Sequence, residues 1–166
     1  MRERIWHELF DAKYKMIYCN LFLAKQRIIN KWFNLVILIF STSGVLGWPL
    51  WKDLPFATSI IIAIMSLVKL LGTELIPNDS MFRKSEVAIE KYCDYYNKLE
   101  NLWYDFERDE NEIKAQKKFY AIVAQEKDIS KIVNEIIKKG NIALQSKAES
   151  ECDNYFKNIF NTNNNG

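Results

Sequence analysis

Apolar residues recur at helical spacing near the N terminus, where they predict an amphipathic helix over residues 1–31. Successive apolar positions are four and three residues apart in turn, a spacing that places them on one helix face. Basic residues, including Lys13, Lys15, Lys25 and Arg27, fall on the other faces. We expect the apolar face to pack against another helix. It consists of Phe10, Tyr14, Ile17, Leu21, Ala24 and Ile28.

The next part of the chain is apolar on all sides rather than on one face. Residues 32–51 are twenty consecutive residues without a charge, and about 20 apolar residues cross a bilayer core of about 30 Å. A second apolar stretch covers residues 54–73, with Lys69 near its end, where a lysine can extend to the lipid headgroups. Two prolines and two tryptophans surround the short connection, which is typical of a tight turn at a membrane face. The pattern predicts a transmembrane hairpin over residues 32–76.

The basic residues near this hairpin predict its orientation. The cytosolic side of a membrane protein carries the excess of lysine and arginine, and here the basic residues lie before the first span and at or after the end of the second. They are Lys25, Arg27, Lys31, Lys69, Arg83 and Lys84, whereas the turn has only Lys52. We therefore expect both termini in the cytosol. The alternative is a water-soluble protein whose apolar hairpin is buried by its other helices or by oligomerisation.

A second periodic helix should start near Pro77 and Ser80, which supply a helix breaker and a candidate N-cap. Apolar and aromatic residues follow at alternating spacings of three and four, as in a heptad repeat. Such a seam packs within a bundle of one chain, or joins several chains into a ring or filament. It contains Phe82, Ser85, Ile89, Tyr92, Tyr96, Leu99, Trp103 and Phe106.

The rest of the chain completes an all-α prediction. We expect a bend near residues 108–112, a helix resuming toward Gly140, and a last amphipathic helix over residues 148–159. The predicted fold is a two-helix transmembrane hairpin with long cytosolic amphipathic helices that form a bundle or coiled coil. Its parts are an N-terminal cytosolic helix (1–31), the hairpin (32–76), a cytosolic helical region (77–160) and a disordered polar tail (161–166).

Several polar side chains interrupt the predicted spans. In the second span they share one helix face, and in the first span two lie seven residues apart on one face. Polar groups inside a bilayer face other helices or water, so these residues either mediate helix packing or line an oligomeric pore. The candidates are Asn34, Ser41, Ser59, Ser66, Lys69 and Thr73.

Composition gives little support for catalysis or nucleic-acid binding. The net charge is +2, too small for a nucleic-acid partner to be expected. The only histidine is His7, the three cysteines show no CxxC spacing, and the five glycines form no phosphate-binding motif. We therefore expect no metal, no cofactor and no enzymatic activity, and reduced thiols. A membrane-bound enzyme subunit would need a partner to supply its chemistry.

The layout resembles the SLATT families, two-span effector domains of bacterial nucleotide-signalling conflict systems. The resemblance is carried by AKQRIINKWFNLVILIFSTSGVL at the first span, by the hairpin through Lys69, and by the helix EVAIEKYCDYYNKLENLWYDF after it. It implies an inner-membrane effector that oligomerises into a pore and depolarises the membrane in antiviral defence. An upstream sensor or nucleotide-signalling partner would trigger it. The alternative is a non-conducting, membrane-anchored helical scaffold for partner proteins.

Overall fold

The computed structural model describes residues 1–46, 60, 63, 66–67, 79–108 and 111–162, and its regular secondary structure there is α-helix. Side chains are described as far as Leu38 in the first helix and Ile159 in the last. No strand occurs in this part of the chain, and the all-α prediction is confirmed. The helices are α1 (Arg2–Leu46), α2 (Asp79–Arg108), α3 (Glu112–Val123), α4 (Glu126–Ile136) and α5 (Ile142–Thr162).

The chain divides into two units, and α1 contributes residues to both. One unit, called the bundle below, contains Met1–Leu23 and Met81–Gly166. The other contains Ala24–Ser80, and most of the hairpin predicted over residues 32–76 lies outside its described residues. Among the helices that the structure describes, none combines the length and the apolar character that a membrane crossing requires.

The bundle has one hydrophobic core, to which all five helices contribute. The part of α1 in the bundle buries a stripe at spacings of three and four, made of Ile5, Leu9, Ala12, Cys19 and Leu23 with Met16 half-buried. The stripe is not the predicted one, because Phe10, Tyr14 and Ile17 pack at its edge and Ala24 and Ile28 are exposed. Small residues such as Ala12 let neighbouring helices approach closely, whereas aromatic rings fit better along the edge of the contact.

Asparagine side chains define the starts of α3 and α5. The backbone N–H of Lys114 donates to Asn111 Oδ1 (3.1 Å), and that of Leu144 donates to Asn141 Oδ1 (3.1 Å). Each bond satisfies one of the N–H groups that a helix start leaves without a partner. The bend predicted near residues 108–112 falls where α2 ends and α3 begins, and α5 contains the residues of the predicted last helix.

The connection between α3 and α4 is a break that the sequence pattern did not predict. Ala124 and Gln125 keep right-handed helical angles, and Gln125 N–H donates to the Ile122 carbonyl at 2.9 Å. This bond spans three residues, so the chain tightens for one turn and then resumes as α4. The apolar periodicity survives such a small break, which is why one continuous helix was expected. α4 ends at Ile136, before the predicted stop at Gly140.

Candidate functional site

The polar residues predicted inside the membrane are only partly described. Asn34 is exposed, and its Nδ2 donates to Asn30 Oδ1 at 3.4 Å, one turn earlier on α1. Ser41 belongs to α1, and Ser66 is helical and exposed. The other three candidates, Ser59, Lys69 and Thr73, lie outside the described residues. Helix packing and pore lining therefore both remain predictions for this group.

Many apolar side chains of α1 are exposed where the first span is predicted. Ile28 is 58% exposed, Trp32 63% and Leu38 58%, and Ile37 is also exposed. At about 100° per residue, Ile28 and Ile37 lie about 180° apart around the helix. Exposed apolar side chains also occur in the second predicted span, at Ile60 and Leu67. A surface helix of a water-soluble protein normally exposes apolar groups singly and buries one stripe. This segment instead exposes six large apolar side chains between Ile28 and Leu38, while Phe33 and Val36 are half-buried.

Inside the bundle, the predicted heptad seam of α2 belongs to the core of a single chain. Tyr92, Tyr96 and Leu99 are at most 4% exposed. Ile89, Trp103 and Phe106 are half-buried and pack against the core, and Phe82 is half-buried. Ser85 of the predicted seam is buried as well. Sequence reasoning missed the other half of the buried face, which consists of Ala88, Tyr95 and Leu102.

Glu8 of α1 forms a polar contact with α2, and Asp11 of α1 forms one within its own helix. Tyr95 of α2 donates its hydroxyl to Glu8 Oε1 at 2.6 Å, and Lys15 of α1 pairs with Asp11 and with Glu126 of α4. Burial lowers the pKa of Lys15, but the hydrogen bonds that Lys15 donates to Asp11 and Glu126 outweigh burial, and its pKa is raised. Burial and the bond to Glu8 raise the pKa of Tyr95. Lys15 thus joins α1 to α4 as a charged group.

Lys13 was expected on a solvent face of α1, yet it lies against aromatic rings of the bundle. Its Nζ is 3.6 Å from the ring centroid of Tyr155 and 4.7 Å from that of Tyr96. The two tyrosine hydroxyls are 3.3 Å apart, and Tyr96 also donates to Glu100 Oε1 at 2.8 Å. An ammonium over two ring faces is a cation–π arrangement. It connects α1, α2 and α5.

Further rings extend this aromatic cluster beside Lys13. Trp6 lies 5.3 Å from Trp103 and 5.2 Å from Phe156, measured between ring centroids. Phe10 lies 5.3 Å from Phe156. Pairs at these separations stabilise by about 0.5–1.5 kcal/mol beyond the burial of their area. The charge spacing Asp11–Lys15 was visible in the sequence as an (i, i+4) pair, but nothing in the apolar pattern placed Lys13 over tyrosines.

The three cysteines are free thiols, with Cys19 and Cys152 buried and Cys93 exposed. Burial raises the pKa of both the Cys19 and the Cys152 thiol to about 11, so neither is a reactive nucleophile near neutral pH. Within the described residues, no group of three histidine, cysteine or acidic side chains could hold a metal ion. Comparison of the chain with protein-family models, curated proteins and solved structures gives no match.

Proposed function

We propose that the chain is a bacterial inner-membrane effector whose hairpin, over residues 32–76, assembles with other copies and opens a conducting path. Depolarisation of the membrane would then end growth of an infected cell in antiphage or conflict defence. Both termini lie in the cytosol. The observation that carries the proposal is the exposure of apolar side chains on opposite sides of α1 between Ile28 and Leu38.

Lipid can cover side chains on opposite sides of such a helix, whereas contact with one protein surface would cover only one side. Each fully buried leucine- or isoleucine-sized side chain gains about 1.5–3 kcal/mol relative to water. Several such side chains, together with the uncharged sequence that continues to residue 51, favour a bilayer as the medium around this segment. Trp32 at the start of the segment is the residue type that concentrates at membrane interfaces.

The bundle is the part of this effector on which a trigger acts. Its polar contacts tie α1 to three other helices, through Lys13, Lys15 and Glu8. A ligand, or an upstream sensor of the nucleotide-signalling type, would favour a second packing of these helices by binding it more tightly. No catalytic step is needed, and the output is conductance. The resemblance to the SLATT families supports the same assignment.

A non-conducting, membrane-anchored scaffold is the second candidate, and one observation favours it. The seam residues Tyr92, Tyr96 and Leu99 are buried within one chain, so that packing leaves none of these three side chains to join a second copy. A scaffold needs only a stable bundle and an anchor. An effector needs assembly through the hairpin, or a rearrangement of the bundle that frees the seam.

Membrane potential in bacteria that express the chain from a tightly controlled promoter separates the two candidates. The test variant is Ser66→Leu with Lys69→Leu, which removes two polar groups of the predicted stripe. The matched control is Ile60→Leu with Leu67→Ile, two exposed positions of the same segment whose apolar character is kept. All proteins are compared at equal abundance in the membrane fraction.

An effector depolarises the cells as wild type and as the control, and fails to do so as the Ser66→Leu/Lys69→Leu pair. An intact potential in wild-type cells, with the protein present in the membrane and the trigger supplied by the native host, supports the scaffold instead. Recovery of the wild-type chain only in the soluble fraction contradicts both candidates.

A further inference from the structure

An exposed face of α3 carries apolar and basic side chains. Ile113 is 82% exposed and Tyr120 is 50% exposed, and Lys117 lies between them on the same face, at spacings of four and three. Lys117 is two residues from the buried Phe119, and so about 160° away from it around the helix. The Tyr120 hydroxyl accepts a hydrogen bond from Arg4 Nη1 at 3.0 Å, which adds another positive charge. This face of α3 is therefore turned away from the core and is positively charged.

An exposed face of α5 carries an apolar side chain and two acidic ones. Ile142 is 81% exposed in the first turn, and Glu149 and Asp153 follow at spacings of seven and four residues, which place all three on one side of the helix. Both carboxylates are exposed, and neither forms an ion pair with another residue that the structure describes. The remaining carboxylate of α5, that of Glu151, pairs with Lys147 on another side. The face with Ile142 is therefore negatively charged.

α3 and α5 lie on opposite sides of α2. Lys98 of α2 donates to Gln125 Oε1, just after α3, at 2.7 Å. The hydroxyl of Tyr96 on α2 lies 3.3 Å from that of Tyr155 on α5. Because Lys98 and Tyr96 are two residues apart, they lie about 160° apart around α2. The basic face and the acidic face are therefore held apart within one bundle, and they can meet only between copies.

We infer that the bundles of neighbouring copies associate head to tail, with the exposed face of α3 in one copy against the exposed face of α5 in the next. The inference rests on the proposed membrane assembly and adds a contact between its cytosolic parts. Charge complementarity favours a second copy as the partner, because lysines of α3 then meet the two carboxylates of α5 that form no ion pair within the described residues. A contact between two different faces closes into a ring or continues as a filament.

The spacing of the charged and apolar positions supports an antiparallel contact between the two helices. On both helices, seven residues separate the apolar position from the first charged one, and three or four residues separate the first charged position from the second. Positions that face each other therefore agree to within one residue, or about 1.5 Å along the axis. The facing pairs are Ile142 with Ala124, Glu149 with Lys117, and Asp153 with Lys114.

The size of this contact makes it dependent on the membrane. Stable interfaces between free proteins bury about 1,200–2,000 Å², whereas this contact involves one helix of each copy over about three turns. Anchoring in the membrane raises the local concentration of neighbouring copies, which lets a weak contact form. Exposed ion pairs are also screened by salt. The bundles should therefore associate between anchored copies and separate at high ionic strength.

Disulfide trapping between two kinds of full-length copy, expressed together in bacteria, tests the contact. Both copies carry Cys93→Ser, which removes the exposed thiol, and they differ in their affinity tags. One copy carries Ala124→Cys and the other Ile142→Cys, two exposed positions that face each other in the antiparallel contact. Mild oxidation should join unlike copies, whereas either kind expressed alone should stay monomeric. In the matched control, Ser150→Cys replaces Ile142→Cys on another exposed side of α5 and should give little product.

An exchange of charges tests the pairing itself. Lys117→Glu in the copy with Ala124→Cys should lower the yield of cross-linked product by about three- to tenfold, because an attraction becomes a repulsion. Glu149→Lys in the other copy should restore the yield. When both exchanges are placed in the copy with Ala124→Cys, the trapped contact stays repulsive and the yield should stay low. This arrangement is the control for effects of the substitutions on the bundle as a whole.

Three results would overturn the head-to-tail contact: equal cross-linking by copies of one kind or by the Ser150→Cys control, a yield that Lys117→Glu leaves unchanged, or rescue by Glu149→Lys in the wrong copy. Membrane potential and resistance to carbonate extraction are measured on the same cells. Depolarisation without a cross-link overturns the contact and leaves the proposed function intact. Cross-linking confined to the soluble fraction supports the contact and contradicts the proposed function. A soluble chain without a cross-link contradicts both.

Discussion

The buried thiols report on opening of the bundle, and a core substitution should change their reactivity by a predictable amount. Leu99 is 0% exposed and lies in the same hydrophobic cluster as Cys19 and Cys152. Leu99→Ala removes buried methyl groups and leaves a cavity, at a cost of about 2–5 kcal/mol in the free energy of unfolding. If the buried thiols react only when the bundle opens, their alkylation should accelerate by roughly 30-fold to a few thousand-fold.

In the wild-type protein, the exposed Cys93 is an internal reference for the reaction rates of the two buried cysteines. Cys93 is exposed, whereas burial raises the pKa of Cys19 and Cys152 to about 11. At about pH 8 this pKa alone lowers the thiolate fraction about a hundredfold relative to an ordinary thiol. Cys93 should therefore react first with iodoacetamide, and the two buried cysteines much later. Peptide mass spectrometry of the full chain, quenched at successive times, measures all three rates together.

The control is Val87→Ala on the same helix, where the side chain is 42% exposed and truncation should change the rates little. Cys93 should react at the same rate in all three proteins. The packing described for the bundle would be refuted if Cys152 reacted as fast as Cys93 in wild type. It would also be refuted if Leu99→Ala left the rates of both buried thiols unchanged.

Two further predictions concern charged groups of α1. Because the pKa of Lys15 is raised in the folded bundle, its ion pairs stabilise fully below the unfolded lysine pKa of about 10.4, and this stabilisation is lost as pH rises beyond it. Lys15→Met should lower the free energy of unfolding by about 1–2 kcal/mol at neutral pH. Above a pH of about 10 the urea midpoint of this variant should fall less steeply with pH than that of wild type. An equal slope in both proteins would contradict the pairing. Lys13 and Tyr155 should show a coupling of about 0.5–2 kcal/mol in a double-mutant cycle of Lys13→Met and Tyr155→Leu, and a coupling near zero would rule out the cation–π contact.

The helical content and the approximate position of the α2 seam could be predicted from the sequence, because apolar spacing reports directly on which residues share a helix face. The centre of the buried face could not. Apolar side-chain area ranks Phe10 and Tyr14 above Ala12, yet close packing of two helices puts the small residue in the middle and the rings at the edge. The same effect rotates the buried face of α2 toward Ala88.

The long-range contacts of Lys13 and Lys15 were unpredictable for a different reason. Lysines on an amphipathic helix are normally solvated, and their positions on α1 beside the apolar face gave no sign of a partner. Their partners, Tyr155 and Glu126, are more than a hundred residues away in sequence. Local patterns carry no information about such long-range pairs. The free thiols were simpler to anticipate, since three distant cysteines form no recognisable framework.

The exposed apolar side chains of α1 are the observation behind the proposed insertion into a membrane, as opposed to cover by a protein partner. A protein partner that docks on one side of α1 would cover either Ile29 or Leu38 and leave the other in water, because these two exposed residues lie about 180° apart around the helix. Covering both sides requires either lipid or a ring of neighbouring helices, and in a membrane assembly each copy has both. Lys25, Arg27 and Lys31 precede the segment, and the proposed insertion accounts for their position, because basic residues of a membrane protein concentrate on the cytosolic side. A cover made only of protein would not require basic residues at one end of the segment.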